Sequence, residues 1–255
     1  MKENYIEKNP TDVYNYYLSW LPAIAALTLV ICWIAVIIVD ILNIGGLGDA
    51  MVASSPVDSA LYGLLFTEGN IIEWMQWTCI GVAAITAAQV SALYGTRVGG
   101  GSKAAFSILM AILFVIMIME DAGNLRHHMK PYLNNAIHAS PIVPWDVFIY
   151  AVYASIPLYA VWQHGEKVRL EEPLAKLFWL AVLFYGLVSV MSATGNIGGW
   201  YNAAGDLLKP LFDGRVDHSS GAMIMDQIVE ESIELIGAIL FASYYTRYWA
   251  YSKSK

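Results

Sequence analysis

Long apolar runs alternate with short polar stretches along the whole chain. A helix needs about 20 consecutive apolar residues to cross a bilayer, and six runs approach that length. They cover about residues 20–42, 71–94, 104–121, 144–163, 174–193 and 223–249. The pattern therefore predicts an all-α, polytopic transmembrane helix bundle in which residues 1–255 form a single transmembrane domain.

The sixth apolar run opens with a dense group of carboxylates, between Asp226 and Glu234. Residues four apart share one face of a helix, so Asp226, Glu230 and Glu234 form one stripe. Gln227 and Glu231 lie on a second stripe beside it. Charged side chains at membrane depth usually face a protein interior or a wet cavity. We therefore expect this polar face to point into the bundle.

Two other predicted spans carry acids at a similar depth. Glu73 lies near the start of the second span, and Glu120 and Asp121 end the third. If the third helix continues, His127 shares a face with Glu120, and Arg126 is the permanent cation best placed to meet the acids. Like charges packed together do not all stay ionised, so either several acids are protonated or a cation lies among them. Both outcomes mark a candidate functional site.

A mixed set of carboxylates and imidazole is the ligand type that suits iron, manganese or zinc. We predict a divalent metal held by these residues: Glu73, Glu120, Asp121, His127, Glu231 and Glu234. Glu230, Arg126 and His127 are the candidate catalytic groups. The alternative is that Arg126 and His127 only neutralise neighbouring acids where the helix meets the lipid headgroups.

Composition narrows the class of protein. Only 14% of residues are charged and 58% are hydrophobic, whereas soluble domains carry about a quarter charged residues. The lipid bilayer is thus the expected surrounding. The formal net charge of −7 and the lack of a basic run argue against nucleic acid as a partner. Both cysteines lie inside apolar runs, which argues against a disulfide framework.

The distribution of Lys and Arg predicts the orientation. Ten of the 14 basic residues lie in the two tails and in the second and fourth loops, and basic residues favour the cytoplasmic side. We expect a multi-pass protein of the cell inner membrane with both termini in the cytoplasm. The polar start of the chain favours a retained first span over a secretory signal peptide.

Three short motifs carry a family resemblance. Glu68 to Trp74, Glu120 to His127 and Glu230 to Glu234 resemble the pattern of uncharacterised polytopic bacterial inner-membrane proteins. That resemblance implies no activity. It implies that the three motifs, on three of the six predicted helices, belong to one site.

Three functions remain open on the sequence alone. The first is a metal-dependent membrane enzyme that acts on a lipid or other apolar substrate near the outer face. The second is a proton- or cation-coupled transporter or channel, which requires polar groups along the inner halves of the helices as well. The third is an accessory subunit whose acids point outward to a membrane-protein partner.

Overall fold

The computed structural model describes residues 10–54, 60–67, 69–123, 128, 132, 145–165, 174–195, 197–212 and 221–254. Within these ranges all regular structure is helical and no strand occurs. The predicted all-α class is confirmed.

The helices follow the apolar runs and add short pieces between them. They are α1 (Pro10–Val36), α2 (Leu47–Ser54), α3 (Leu61–Leu65), α4 (Ile71–Gly95), α5 (Gly101–Asp121), α6 (Trp145–His164), α7 (Leu174–Thr194), α8 (Trp200–Leu208), α9 (Gly221–Ile224) and α10 (Glu231–Ser254). Two π-helical segments, Ile37–Ile41 and Met225–Glu230, continue α1 and join α9 to α10.

Four helical stretches are long and apolar enough to cross a membrane: Ser19–Ile41, Ile71–Gly95, Gly101–Asp121 and Leu174–Thr194. They match the first, second, third and fifth predicted spans, so the chain has the character of a membrane protein. Helices α6 and α10 occupy the fourth and sixth predicted spans. The count of six spans, the inner-membrane location and the cytoplasmic termini stay predictions.

Helix α10 is the centre of the packing. It packs against α4, α7 and α1, while α5 packs against α4 and α6 against α5. Gly237 shows how close these contacts are, since a Cβ at that position would lie 2.6 Å from Cδ2 of Tyr185 on α7. The sixth predicted span, which carries the largest group of acids, therefore continues into the helix most surrounded by protein, and a protein interior is where charged groups are tolerated at membrane depth.

The bundle has an acidic end and a basic end. Glu73 near the start of α4, Asp121 at the end of α5 and Glu231 at the start of α10 define the acidic end. At the other end, Nη2 of Arg97 donates a hydrogen bond to the backbone oxygen of Ser252 at 3.0 Å. The packing of α4, α5 and α10 thus collects their acids at one level, as the sequence predicts.

Candidate functional site: an acidic cavity

A cavity of about 250 Å³ opens at the acidic end. Seven carboxylates from α4, α5 and the π-helix to α10 junction line it: Glu73, Glu120, Asp121, Asp226, Glu230, Glu231 and Glu234. Among the described lining residues there is no Lys, Arg or His. We call this space the acidic cavity; its volume is sufficient for several water molecules.

The π-helical segment Met225–Glu230 sets the direction of the first acids on the sixth predicted span. Its wider turns, with bonding from i to i+5, replace the continuous α-helix expected over 223–249. Asp226 is exposed at the cavity mouth, whereas Glu230 is only 5% exposed. The predicted stripe of steps of four is therefore changed in its first turn, although its members still face one cavity. Isolated π-helical turns are frequent at functional sites.

Glu73 has a local structural role as well as a place in the cavity. It is 4% exposed, and its Oε2 accepts a hydrogen bond from the backbone N–H of Gly69. Gly69 directly precedes Asn70, the N-cap of α4. A glutamate in the first turn that accepts a backbone N–H at the helix entrance satisfies a donor that the helix leaves unpaired.

Gln76 joins carboxylates of two helices through one amide. Its Nε2 donates to Oδ2 of Asp121 on α5 and, at 2.7 Å, to Oε2 of Glu234 on α10. Nε1 of Trp77 donates to the same Asp121 oxygen at 3.2 Å. Hydrogen bonds to ionised acceptors are stronger than neutral ones. Gln76, 1% exposed, is thus a site residue, and its signal in the sequence was its position three residues after Glu73.

Helix α7 contributes to the site although its sequence contains no acid. Oγ of Ser192 lies 3.3 Å from Oε2 of Glu230, to which it donates a hydrogen bond. The hydroxyl of Tyr185 lies within electrostatic reach of Glu234 and Asp121. No pattern in the sequence of the fifth predicted span marks either side chain.

The short helix α8 lies against the acidic end and adds a phenol. Burial, together with Glu230, raises the pKa of Tyr201 far above its ordinary value. A Cβ at Gly205 would lie 1.8 Å from the backbone oxygen of Gly221, so α8 and α9 touch through their backbones. Tyr201 thus brings a phenol from the segment after the fifth predicted span close to Glu230.

Asp40 belongs to the acidic end but serves the fold. It is 1% exposed, and its carboxylate accepts hydrogen bonds from the backbone nitrogens of Leu61 at 3.0 Å and Tyr62 at 2.7 Å. Unpaired N–H groups at a helix start are stabilised by such an acceptor. Asp40 thereby fixes α3, which leads directly into Phe66 and Thr67 of the cavity wall.

Part of the predicted site lies outside the described residues. Arg126 and His127, two of the three candidate catalytic groups, are among these, as is Glu68 of the first acidic motif. The third, Glu230, lines the acidic cavity together with the five carboxylates predicted as metal ligands.

The described part of the chain does not support the predicted metal centre. No group of three or more His, Cys, Asp or Glu within it is arranged to hold a metal ion. Metal ligands converge to about 2.0–2.2 Å from one point, whereas these carboxylates are spread around the wall of a cavity.

Buried oxygens at the site without a hydrogen-bond partner among the described residues include Oε1 of Gln76 and Oε2 of Glu231. Buried polar atoms are nearly always paired with protein, water or a ligand. The amide oxygen of Gln76 is an acceptor, and so is the Glu231 oxygen when its carboxyl is ionised, so the groups that complete them are donors or cations.

No family model matches the chain, and no curated protein or solved structure is significantly similar to it. The resemblance of the three acidic motifs to bacterial inner-membrane proteins therefore stays a prediction.

Proposed function

We propose that this chain is an integral membrane protein that takes up protons or small cations in the acidic cavity, as the entry site of a proton- or cation-coupled transporter. The observation that carries the proposal is the lining of the cavity: seven carboxylates from three helices, with no basic side chain among the described lining residues. The basic end faces the cytoplasm in this proposal, and the acidic cavity opens on the outer side.

Electrostatics explains why such a cavity requires positive charge. Two like charges about 4 Å apart repel by ~4 kcal/mol at an effective dielectric constant of about 20. Seven carboxylates around one small cavity therefore accept protons or collect cations until most of their charge is compensated. A site that gains and loses positive charge in this way has the chemistry of a coupling site.

Polar groups along the remaining length of the bundle favour transport over a one-sided role. Buried oxygens without a described hydrogen-bond partner also occur towards the basic end, on Ser107, Tyr244 and Tyr245. A path across a membrane needs such groups at successive depths. The accessory-subunit hypothesis expects acids that point outward, and the lining of the acidic cavity gives it no support.

The test is cation binding by the full chain purified in detergent. Isothermal titration with Na⁺, K⁺, Mg²⁺, Ca²⁺, Mn²⁺, Zn²⁺ and spermidine, in two buffers of different ionisation enthalpy, measures binding and proton release together. We expect saturable binding that displaces protons and weakens as the pH falls. Mn²⁺ or Zn²⁺ as the only ligand would instead favour the metal-dependent enzyme.

A double variant and a matched control make the result specific. Glu231→Gln with Glu234→Gln removes two cavity charges without changing side-chain volume, and should weaken binding at least about tenfold, equal to ~1.4 kcal/mol. Asp49→Asn changes an exposed acid outside the cavity and should leave binding unchanged. Absence of both binding and proton exchange in the wild-type protein would overturn the proposal.

A further inference from the structure

A second group of buried hydroxyls lies between the acidic cavity and the basic end. Tyr244, Tyr245 and Ser107 are each 0% exposed, and none of their side-chain oxygens has a hydrogen-bond partner among the described residues. Three such hydroxyls in one region require donors and acceptors that the described side chains do not supply. We call these three residues the hydroxyl cluster.

Ring contacts place Tyr244 and Tyr245 in one layer of the bundle, at the level of Phe106, the chain neighbour of Ser107. The rings of Tyr244 and Tyr245 lie 4.7 Å apart. Tyr244 packs 5.2 Å from Phe178, which packs 5.8 Å from Phe106, the residue that precedes Ser107 on α5. Helices α5, α7 and α10 therefore all bound this layer.

The helical rise gives the depth of this layer. Tyr245 follows Glu234 by 11 residues on α10, or about 16.5 Å along the axis at 1.5 Å per residue. Ser252 follows Glu234 by 18 residues, or about 27 Å, close to the ~30 Å thickness of the hydrocarbon core. The acidic cavity and Ser252 thus lie near opposite faces of the hydrocarbon core, and the hydroxyl cluster lies near its middle.

The layer connects onward to the basic end through tyrosines. Tyr248 stacks on Tyr244 at 5.6 Å, and Tyr94 of α4 stacks on Tyr248 at 6.1 Å. The charged groups of Arg97 and Lys103 lie 5.3 and 5.0 Å from the centre of the Tyr94 ring.

Phenyl rings separate the hydroxyl cluster from the acidic cavity. Phe114 lies 5.0 Å from Phe241 and 5.5 Å from Tyr245, and both phenylalanines are buried. On the cavity side, Tyr185 packs 5.7 Å from Phe241 and lies within electrostatic reach of Glu234. The pair Phe114 and Phe241 therefore stands between two polar regions.

We propose that the hydroxyls of Tyr244, Tyr245 and Ser107 form a hydrated relay that carries protons between the acidic cavity and the basic end, with Phe114 and Phe241 as its gate. This rests on the proposed function, because the acidic cavity supplies and receives the protons. Each hydroxyl accepts a proton from a neighbouring water as it donates its own to the next. A proton thus moves across the layer with no net change in any side chain.

Proton flux through the full chain in vesicles tests the relay. Vesicles of phosphatidylethanolamine and phosphatidylglycerol in a ratio of about three to one enclose the pH dye pyranine, and a potassium gradient with valinomycin drives proton entry. We expect wild-type vesicles to acidify faster than protein-free vesicles. Tyr245→Phe and Ser107→Ala, which remove only the oxygen, should each slow this flux at least about tenfold, equal to ~1.4 kcal/mol in the barrier.

Two further variants separate the relay from a general loss of structure. Tyr159→Phe removes a phenol oxygen from a 51% exposed residue of α6 and should leave the flux unchanged. Phe241→Ala should increase the flux, because it removes one ring of the gate.

The outcomes distinguish the relay from the cavity. The relay would be overturned if vesicles with the wild-type protein acidified no faster than protein-free vesicles. It would also be overturned if Tyr245→Phe and Ser107→Ala both kept the flux of the wild-type protein. Cation binding in detergent that depends on Glu231 and Glu234 would then still uphold the acidic cavity. Loss of that binding would overturn the cavity itself.

Discussion

Replacement of Gln76 by leucine tests the link between α4, α5 and α10. The change keeps a side chain of similar size at a position that is 1% exposed, so packing is largely preserved. It removes the Nε2 donor that Asp121 and Glu234 share. The structure predicts a large loss of stability from a variant that alters little volume and no formal charge.

The magnitude follows from the two lost hydrogen bonds. A hydrogen bond contributes about 0.5–1.5 kcal/mol when both partners are neutral and about 1.5–3 kcal/mol when one is charged, so two bonds contribute between about 1 and about 6 kcal/mol, depending on the protonation of Asp121 and Glu234. Removal of Oε1, a buried oxygen without a described partner, returns about 1 kcal/mol or more. Because one donor group serves both acceptors, their contributions are not additive. We expect Gln76→Leu to lower the free energy of unfolding by about 2–4 kcal/mol.

Reversible unfolding in mixed dodecyl maltoside and sodium dodecyl sulfate, followed by tryptophan fluorescence, measures this quantity. Gln89→Leu is a matched control on the same helix, since the side-chain oxygen of Gln89 also lacks a described partner and no described carboxylate accepts from its amide. We expect it to change stability by less than about 1 kcal/mol. Equal effects of the two variants would refute the assignment of Gln76 as the bridge.

Three further predictions concern the surroundings of the acidic cavity. Asp40→Ala should destabilise the protein by about 2 kcal/mol or more, because two backbone donors of α3 lose their acceptor, and Asp40→Asn, which keeps one acceptor, should cost less in the same unfolding assay. Gly237→Ala should lower the unfolding temperature, since its Cβ would lie 2.6 Å from the ring of Tyr185. The control Gly186→Ala places a Cβ that has nothing within 4 Å, and it should be neutral or stabilising by up to about 1 kcal/mol. Equal shifts of the unfolding temperature in the two variants would contradict the close contact at Gly237. Burial raises the pKa of Tyr201 above its ordinary value of 10.0, so the folded state holds the phenol proton more tightly than the unfolded state. The resulting stability is present below pH 10 and is lost as the pH rises further. Tyr201→Phe should therefore reduce the loss of stability above pH 10, and an unchanged loss would contradict the burial of the phenol.

The helical class and the position of the acids were predictable from the sequence. Long apolar runs have one dominant solution in a bilayer, which is a helix with all its backbone groups paired. Acidic side chains inside such runs face the protein interior or a water-filled cavity, because exposure to lipid is costly. The shared level of Glu73, Asp121 and Glu234 follows from these two constraints, and all three line the acidic cavity.

The partners of those acids were not predictable, because they depend on packing rather than on periodicity. Nothing around Tyr185 or Ser192 distinguishes these residues from other polar residues of an apolar helix. The π-helical segment Met225–Glu230 has no sequence signature either, and it alters which acid lies deep and which lies at the mouth. Asp40 is a further example, because the cap that it provides to α3 joins residues at least 21 positions apart in the sequence.

The protonation state of the acidic cavity tests the central claim most directly. Infrared difference spectra of the full chain in detergent at neutral pH, with and without the cation found by titration, report the C=O stretch of protonated carboxyl groups. We predict a band from protonated carboxyls that decreases when the cation binds and is reduced in the double variant Glu231→Gln with Glu234→Gln. If the spectrum has no such band and no cation in the panel changes it, the seven carboxylates are all ionised without bound protons or cations. That result would contradict the account.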